Sequence, residues 1–291
     1  MKKLGLILLS LVFLAHTSCS KDNGESSSEL RVDKRGNLLG TGDSANDILS
    51  NTNFDKLQIE IAYVKGFRPT FQAMANFNDF LRAHTFKEEI DIIYTELTSP
   101  NEESLTLEEI VDLEQENRTA YNKDRTLAIY IYFADSPADG DEEEEGLVTL
   151  GAVYRNTSMV LHGITIRRLA AQSTFISDGD VEGATLNHDF GHLFGLVNLG
   201  TEALSDHEDS DAENHCNVNG CLMRAELQFS LSGKSILDPK KSAYAANLNP
   251  ACVLSGATVM GLLQPSKTER SVEIPGLGSA CVEDIQGNGA R

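Results

Sequence analysis

Apolar and polar residues alternate along Leu57-Gln-Ile-Glu-Ile-Ala-Tyr-Val64, the two-residue period of a strand with two unlike faces. After Gly66 and Pro69 the period lengthens, and Phe71, Met74, Ala75, Asn78 and Leu81 fall on one side of a helix. Ile90 to Leu97 is β-branched and strand-like, and Leu105 to Tyr121 is helical behind a Thr106-Leu-Glu-Glu109 capping signal. Leu127-Ala-Ile-Tyr-Ile-Tyr-Phe133 is the most apolar segment and is expected at the centre of a sheet. Val148 to Tyr154 and Ser158 to Leu161 read as a hairpin pair, and Val181 to Leu196 as a further helix. The order β-α-β-α-β-β-α predicts an α+β fold, a mixed sheet backed by helices. Beyond Met223 the periodicity is weak, and no internal repeat is present.

The ends of this pattern carry different signals. Lys2 and Lys3 precede an apolar run from Leu4 to Ala15, shorter than the roughly 20 residues that span a bilayer, so residues 1–18 read as a signal peptide. Cys19 then resembles the lipidated cysteine of a bacterial lipobox, although His16 stands where such a box usually has Leu. Residues 19–50 are rich in Ser, Gly, Asn and Asp and read as a lipidated, flexible tether. Residues 51–198 are expected to form an N-terminal catalytic subdomain and 199–291 a C-terminal one. The resulting expectation is a protein held in the cell envelope, on the outer membrane, by a lipid.

Charge and cysteine content narrow the partners. A formal charge of −20 over 291 residues repels nucleic-acid phosphates, so no nucleic-acid partner is expected. Asp139 to Glu145 holds six acidic residues in seven and reads as a solvated loop. Beyond Cys19 there are Cys216, Cys221, Cys252 and Cys281; outside the cytoplasm an even number suggests two disulfides, with three connectivities open.

The chemistry concentrates in Asn187-His188-Asp189-Phe190-Gly191-His192-Leu193-Phe194-Gly195-Leu196. Histidines four apart on a helix lie one above the other and can grip one zinc ion. The residue after the first histidine is where zinc proteases keep the carboxylate that takes a proton from water. No phosphate-binding glycine loop and no Gly-x-Ser-x-Gly element competes with this stretch.

This segment resembles the active helix of metzincin zinc metalloproteases, with Gly195 at the sharp turn that ends it. His215-Cys216, four residues, then Cys221-Leu222-Met223 resembles the His-Cys-x4-Cys-x-Met arrangement of archaemetzincins, in which the histidine is the third zinc ligand. Leu57 to Met223 more broadly looks like the lipoprotein membrane metalloproteases of Bacteroidetes, with Leu150 to Ser158 as the strand region before the active helix. The resemblance implies a metzincin-like twisted mixed sheet, an active-site helix and a subdomain with a Met-turn at Met223. It implies His188, His192 and His215 as zinc ligands and Asp189 as catalytic base. The substrate it implies is a polypeptide.

Three departures accompany it. Asn198 stands where the family has its third ligand, which leaves His215, His207 and Asn198 as alternatives, with His215 favoured by its Cys-Met neighbourhood. The later Cys-x-x-Cys with which archaemetzincins help bind a structural zinc is missing, which points to Cys216–Cys221 and Cys252–Cys281 as disulfides. The base position holds Asp189 rather than Glu, one methylene shorter. Two readings follow: a lipid-anchored zinc endopeptidase, or a catalytically silent surface lipoprotein that keeps the metal and acts as a binding module.

Overall fold

The centre of the molecule is β3 (Thr126–Ala134), whose residues are nearly all buried. Leu127, Ile129, Ile131 and Phe133 enter one apolar cluster, while Tyr130, Tyr132 and Ala134 enter another on the opposite face. The period-two pattern thus serves a strand covered on both sides. The computed structural model describes residues 32–141, 148–224, 252–255 (backbone only) and 274–291.

Around β3 stand β1 (Lys56–Val64), β2 (Glu89–Leu97), β4 (Thr149–Arg155), β5 (Ser158–His162) and β8 (Cys252–Ser255), in the order β2-β1-β3-β5-β4-β8. The first four in that order run parallel, β4 is antiparallel to β5, and β8 is antiparallel to β4. Glycine at 66 and proline at 69 separate β1 from α2 (Phe71–His84), which Thr70 caps by accepting the Ala73 amide. α2 packs along α5 (Asp178–Leu193) through the Phe77–Phe190 and Phe80–Phe194 ring pairs, at 5.1 and 5.6 Å. α3 (Leu107–Asn117), opened by the expected Thr106–Glu109 capping box, covers the other face of the sheet. A short two-stranded ribbon, β6 (Glu208–Asp209) and β7 (Ala212–Cys216), follows α5. A last helix, α6 (Ser279–Gly287), joins the cluster on the α2–α5 face through Cys281 and Ile285. No helix among the described residues is long and apolar enough to cross a membrane.

The strands and main helices thus follow the expected order, and three expectations change. The fold begins before residue 51: α1 (Ala45–Leu49) buries Ile48 and Leu49 completely. The side-chain nitrogen of buried Asn37 donates to Asn122, the Ala128 carbonyl and Thr157. The polar residues of 33–50 therefore include groups satisfied inside the fold, and composition alone disguised them as tether. Second, residues 33–291 form one compact unit, so a division into subdomains at 198/199 lies within it. Third, α4 (Gly163–Ala170) lies where no helix was expected; its inward positions, Thr165, Ile166 and Ala170, are too few to announce a period. Of the acidic stretch, Asp141 accepts the Thr149 amide, and 142–147 lie outside the described residues.

A polar seam between α3 and the sheet is built on Glu114 and Arg118. The Glu114 carboxylate accepts from Arg118 at 2.7 Å, Ser158 at 2.7 Å and Arg155 at 3.2 Å. Arg118 also donates to the carbonyls of Ala120 and Ala128. Removing one member of a buried ion pair leaves the other charge uncompensated, at about 3–5 kcal/mol. Glu114→Ala is therefore expected to lower the unfolding free energy by about that much in urea titration. A loss under about 1 kcal/mol would mean that the seam contributes as little as an exposed pair.

Candidate metal centre

Ser177 starts α5 by accepting the Asp180 amide, and Asp180 returns a bond to the Ser177 amide. From Gly179 onward every residue of this helix is buried, including the polar Glu182, Asn187, His188, Asp189 and His192. The helix stops at Phe194, and Gly195 follows at φ +78°. A side chain at Gly195 would press on Thr201 and Ala45, so the turn anticipated there does require glycine. Val197 and Asn198 also take positive φ, which carries the chain abruptly off the helix axis.

His188 and His192 lie on one face of α5, and β7 brings His215 to them. The three ring centroids form a nearly equilateral triangle with sides of 5.0, 5.3 and 5.4 Å. One nitrogen from each ring lies within 4.8 Å of the others, and the Nε2 atoms of His188 and His192 are 3.2 Å apart. Ligands about 2.0–2.1 Å from a tetrahedral zinc lie roughly 3.3 Å from one another, so the spacing suits that ion. Backbone carbonyls aim two of the rings. His188 Nδ1 lies 2.8 Å from the Leu222 oxygen, and His215 Nδ1 lies 2.9 Å from the Glu213 oxygen. With these Nδ1–H groups donated, each Nε2 lone pair is left for a metal.

Burial makes these rings ligands rather than cations. Desolvation holds His188 down to about 3, with His215 adding to the effect. Desolvation likewise lowers His192 well below the usual imidazole range, and it lowers His215. At neutral pH all three are uncharged and keep the lone pairs that zinc needs.

Asp189 follows His188 on α5 and is fully buried, and neither carboxylate oxygen has a hydrogen-bond partner among the described residues. Burial pushes its pKa well above the usual carboxylate range. Its Oδ2 occupies the space in which a Cβ at Gly151 of β4 would sit. A buried acid without a partner is costly unless something polar joins it. Asp189 is accommodated because position 151 carries no side chain. Met223 packs under α5 at Gly191, where a Cβ would collide with its sulfur.

The remaining candidates lie elsewhere. The Asn198 side chain donates to Glu208 and accepts the Ala203 amide, bracing the loop after α5. His207 points to Asp284 of α6, with Nε2–Oδ2 at 2.6 Å. The expected Cys216–Cys221 disulfide is absent: Cys216, Cys221 and Cys281 are buried free thiols, with the Cys221 and Cys281 sulfurs 3.5 Å apart. A disulfide needs about 2.05 Å. The expected partner of Cys281, Cys252, has its side chain outside the described residues, as has the leader with Cys19. Sequence reasoning did not single out Gly151 or the Leu222 and Glu213 carbonyls, because main-chain acceptors and missing side chains leave no motif. Cys281-x-x-Asp284, one helical turn apart, was a legible signal that went unused.

The fold and site together describe a mixed-sheet protein with a candidate three-histidine metal centre on a buried helix. No family model matches the chain, and no curated protein matches it. Among solved structures it is similar to an archaemetzincin from Methanopyrus kandleri, at 13% identity and a TM-score of 0.44, over 80% of this chain and 96% of that one. It is also similar to metalloproteinase-II from Bacteroides fragilis, at 11% identity and a TM-score of 0.35, over 67% of this chain and 52% of that one.

The closeness of Met223 to Gly191 yields a stability test. Alanine for glycine inside a helix gains up to about 1 kcal/mol from propensity, whereas overpacking costs about 1–3 kcal/mol. At Gly183 the added methyl meets only the end of the Ile274 side chain, which can shift; at Gly191 it meets the buried Met223. Gly191→Ala should therefore lower the melting temperature while Gly183→Ala leaves it unchanged or raises it. Equal melting temperatures for the two variants would show that Met223 is not held against the helix.

Proposed function

We propose that this chain is a zinc-dependent endopeptidase of the metzincin type that cuts polypeptides. The observation that carries the reading is the convergence of three neutral, buried imidazoles beside a buried carboxylate that has no partner among the described residues. His188, His192 and His215 hold the ion. Zinc bound there supplies Lewis acidity, which activates water at neutral pH and polarises a peptide carbonyl. Asp189 takes the proton of the attacking water and delivers it to the leaving amine, as a general base and then a general acid. Leu222 and Glu213 keep the His188 and His215 rings in their metal-binding tautomers through their carbonyls. The leader supports an envelope location, with Cys19 acylated and the body held to the outer membrane by the chain that follows.

A second reading is a metal-containing binding module without peptidase activity. The full burial of His188, Asp189 and His192 favours it, since a polypeptide does not reach them in this conformation. Paired variants separate the two. Asp189→Ala is expected to keep its zinc and lose hydrolysis of a denatured-protein substrate by at least about 100-fold, the lower bound for positioned acid–base catalysis. His192→Ala is expected to lose both the ion of this centre and hydrolysis. Wild-type protein that holds zinc at this centre and cleaves nothing would replace the peptidase reading with the binding module.

A further inference from the structure

Buried and exposed positions are inverted in the short stretch before α1. Asn37 is fully buried, whereas the neighbouring Leu38 and Leu39 are 50% and 46% exposed. Hydrogen bonds hold the backbone that way. Besides the contacts that satisfy Asn37, the Leu39 amide donates to the Asn156 side chain at 3.0 Å, and the Leu39 carbonyl accepts the Asn156 amide at 3.1 Å. The same Asn156 side chain donates to the Gly36 carbonyl at 2.8 Å and to Ser44 at 2.7 Å. Both flanks of the leucine pair are thus pinned, with the two side chains turned outward. A second segment meets this end of the molecule: a Cβ at Gly42 would overlap the Leu199 carbonyl, and one at Gly200 the Gly42 backbone. That segment presents Leu204, 66% exposed, whose amide is fixed by Asp284. Leu204 packs at Gly287, next to Asn288, whose carbonyl accepts the Asn46 side chain of α1. One exposed leucine needs no explanation, but three gathered at one end ask for an apolar neighbour.

We propose that this end is the face on which the body rests against a lipid leaflet, with Leu38, Leu39 and Leu204 entering the boundary between headgroups and acyl chains. The proposal rests on the envelope reading, in which Cys19 is acylated, and not on peptidase activity. Chain length chooses the occupant. Asp33 stands 14 residues after Cys19. A chain of that length reaches at most about 50 Å, and one of Ser- and Gly-rich composition averages about 20 Å. Leu38 and Leu39 follow directly, so an acyl anchor on Cys19 keeps them within reach of the bilayer. The most exposed aromatic residues, Phe71 and Phe175, stand at the other end of the sheet. Phe71 follows the far end of β1, and Phe175 precedes α5, where Gln72 donates to Asp180. The nine residues of β3 make that separation about 30 Å, beyond the average span of such a tether.

Charge agrees with this choice. Residues 33–43 carry two acidic and two basic side chains, and 199–204 add only Glu202, in a chain of formal charge −20. An anionic leaflet therefore repels this end less than it repels the rest of the surface on average. The orientation bears on the metal centre. A Cβ at Gly195, where α5 closes, would press on Ala45 of α1. The metal helix thus ends toward the same face, which holds the three-histidine centre close to polypeptides at the membrane surface.

The sequence contains no tryptophan, so a single introduced indole reports one position. The acylated protein, extracted from the envelope, is reconstituted on vesicles of phosphatidylethanolamine and phosphatidylglycerol with brominated acyl chains, which quench indoles that reach the hydrocarbon. Relative to unbrominated vesicles, Leu39→Trp and Leu204→Trp are expected to lose emission, whereas Phe175→Trp keeps it. Adding Leu38→Asn and Leu39→Asn to Leu204→Trp should lower the docked population on the order of 10- to 100-fold and abolish the quenching. The substituted side chains are half exposed and the backbone bonds that pin them are kept, so circular dichroism should match wild type. Mass spectrometry of the N-terminal peptide reads acylation separately. Acylated protein with Leu39→Trp unquenched, or with Phe175→Trp quenched in its place, would overturn the proposal and leave the anchor standing. A Cys19 without acyl chains removes both. Quenching of Leu39→Trp in a protein that cleaves nothing upholds this face while the peptidase reading fails.

Discussion

Desolvation of α5 is the constraint on which the rest of the structure depends. Nearly the whole helix is withdrawn from water, and its polar residues go with it. A buried imidazole or carboxylate is tolerated when it stays neutral or finds a partner. His188 and His215 meet this condition through carbonyl acceptors, whereas Asp189 and the Nδ1 of His192 have no partner among the described residues. The same withdrawal that costs stability makes the histidines neutral ligands and raises the proton affinity of the acid beside them. The elements that cover α5 are therefore part of the site: α2 through its phenylalanines, β4 through Gly151, and the Met223 turn through Gly191.

The legible parts of this arrangement were those in which one residue type repeats at a fixed period. The strands β1, β2 and β3, the helices α2, α3 and α5, and the hairpin of β4 and β5 all announced themselves by spacing. So did the pairing of His188 with His192, because four residues is one helical turn. The convergence of His215 on that pair followed from its Cys-Met neighbourhood rather than from any period. What stayed hidden depends on contacts across the chain. Residues 33–50 looked like tether because Asn37 and Ser44 are polar, and only the fold provides their partners at Asn122 and Asn156. The cysteines looked like disulfides because a sequence shows their number but not that Cys281 arrives beside Cys221.

Glycine placement repeats one theme at different scales. At Gly195 the backbone itself takes a conformation that a side chain resists, which turns the chain toward β6. At Gly151 and Gly191 the backbone is ordinary, and the missing methyl is filled by a functional side chain from another element, Asp189 and Met223 respectively. Only the first kind follows from local rules. The second is a fact of tertiary packing, and no local rule announces it.

β8 has a consequence for how such a site meets an outside chain. It is hydrogen-bonded along β4, with Leu254 opposite Gly151, the glycine against which Asp189 lies. Extended peptides commonly bind by adding a strand to a free sheet edge, and here the β4 edge beside α5 is already taken by the protein's own backbone. Any peptide entering along β4 would be measured against that internal competitor, and its apparent affinity would fall by the fraction of molecules in which β8 has left. Selectivity would then begin before any side-chain pocket is read, with weak strands excluded by mass action.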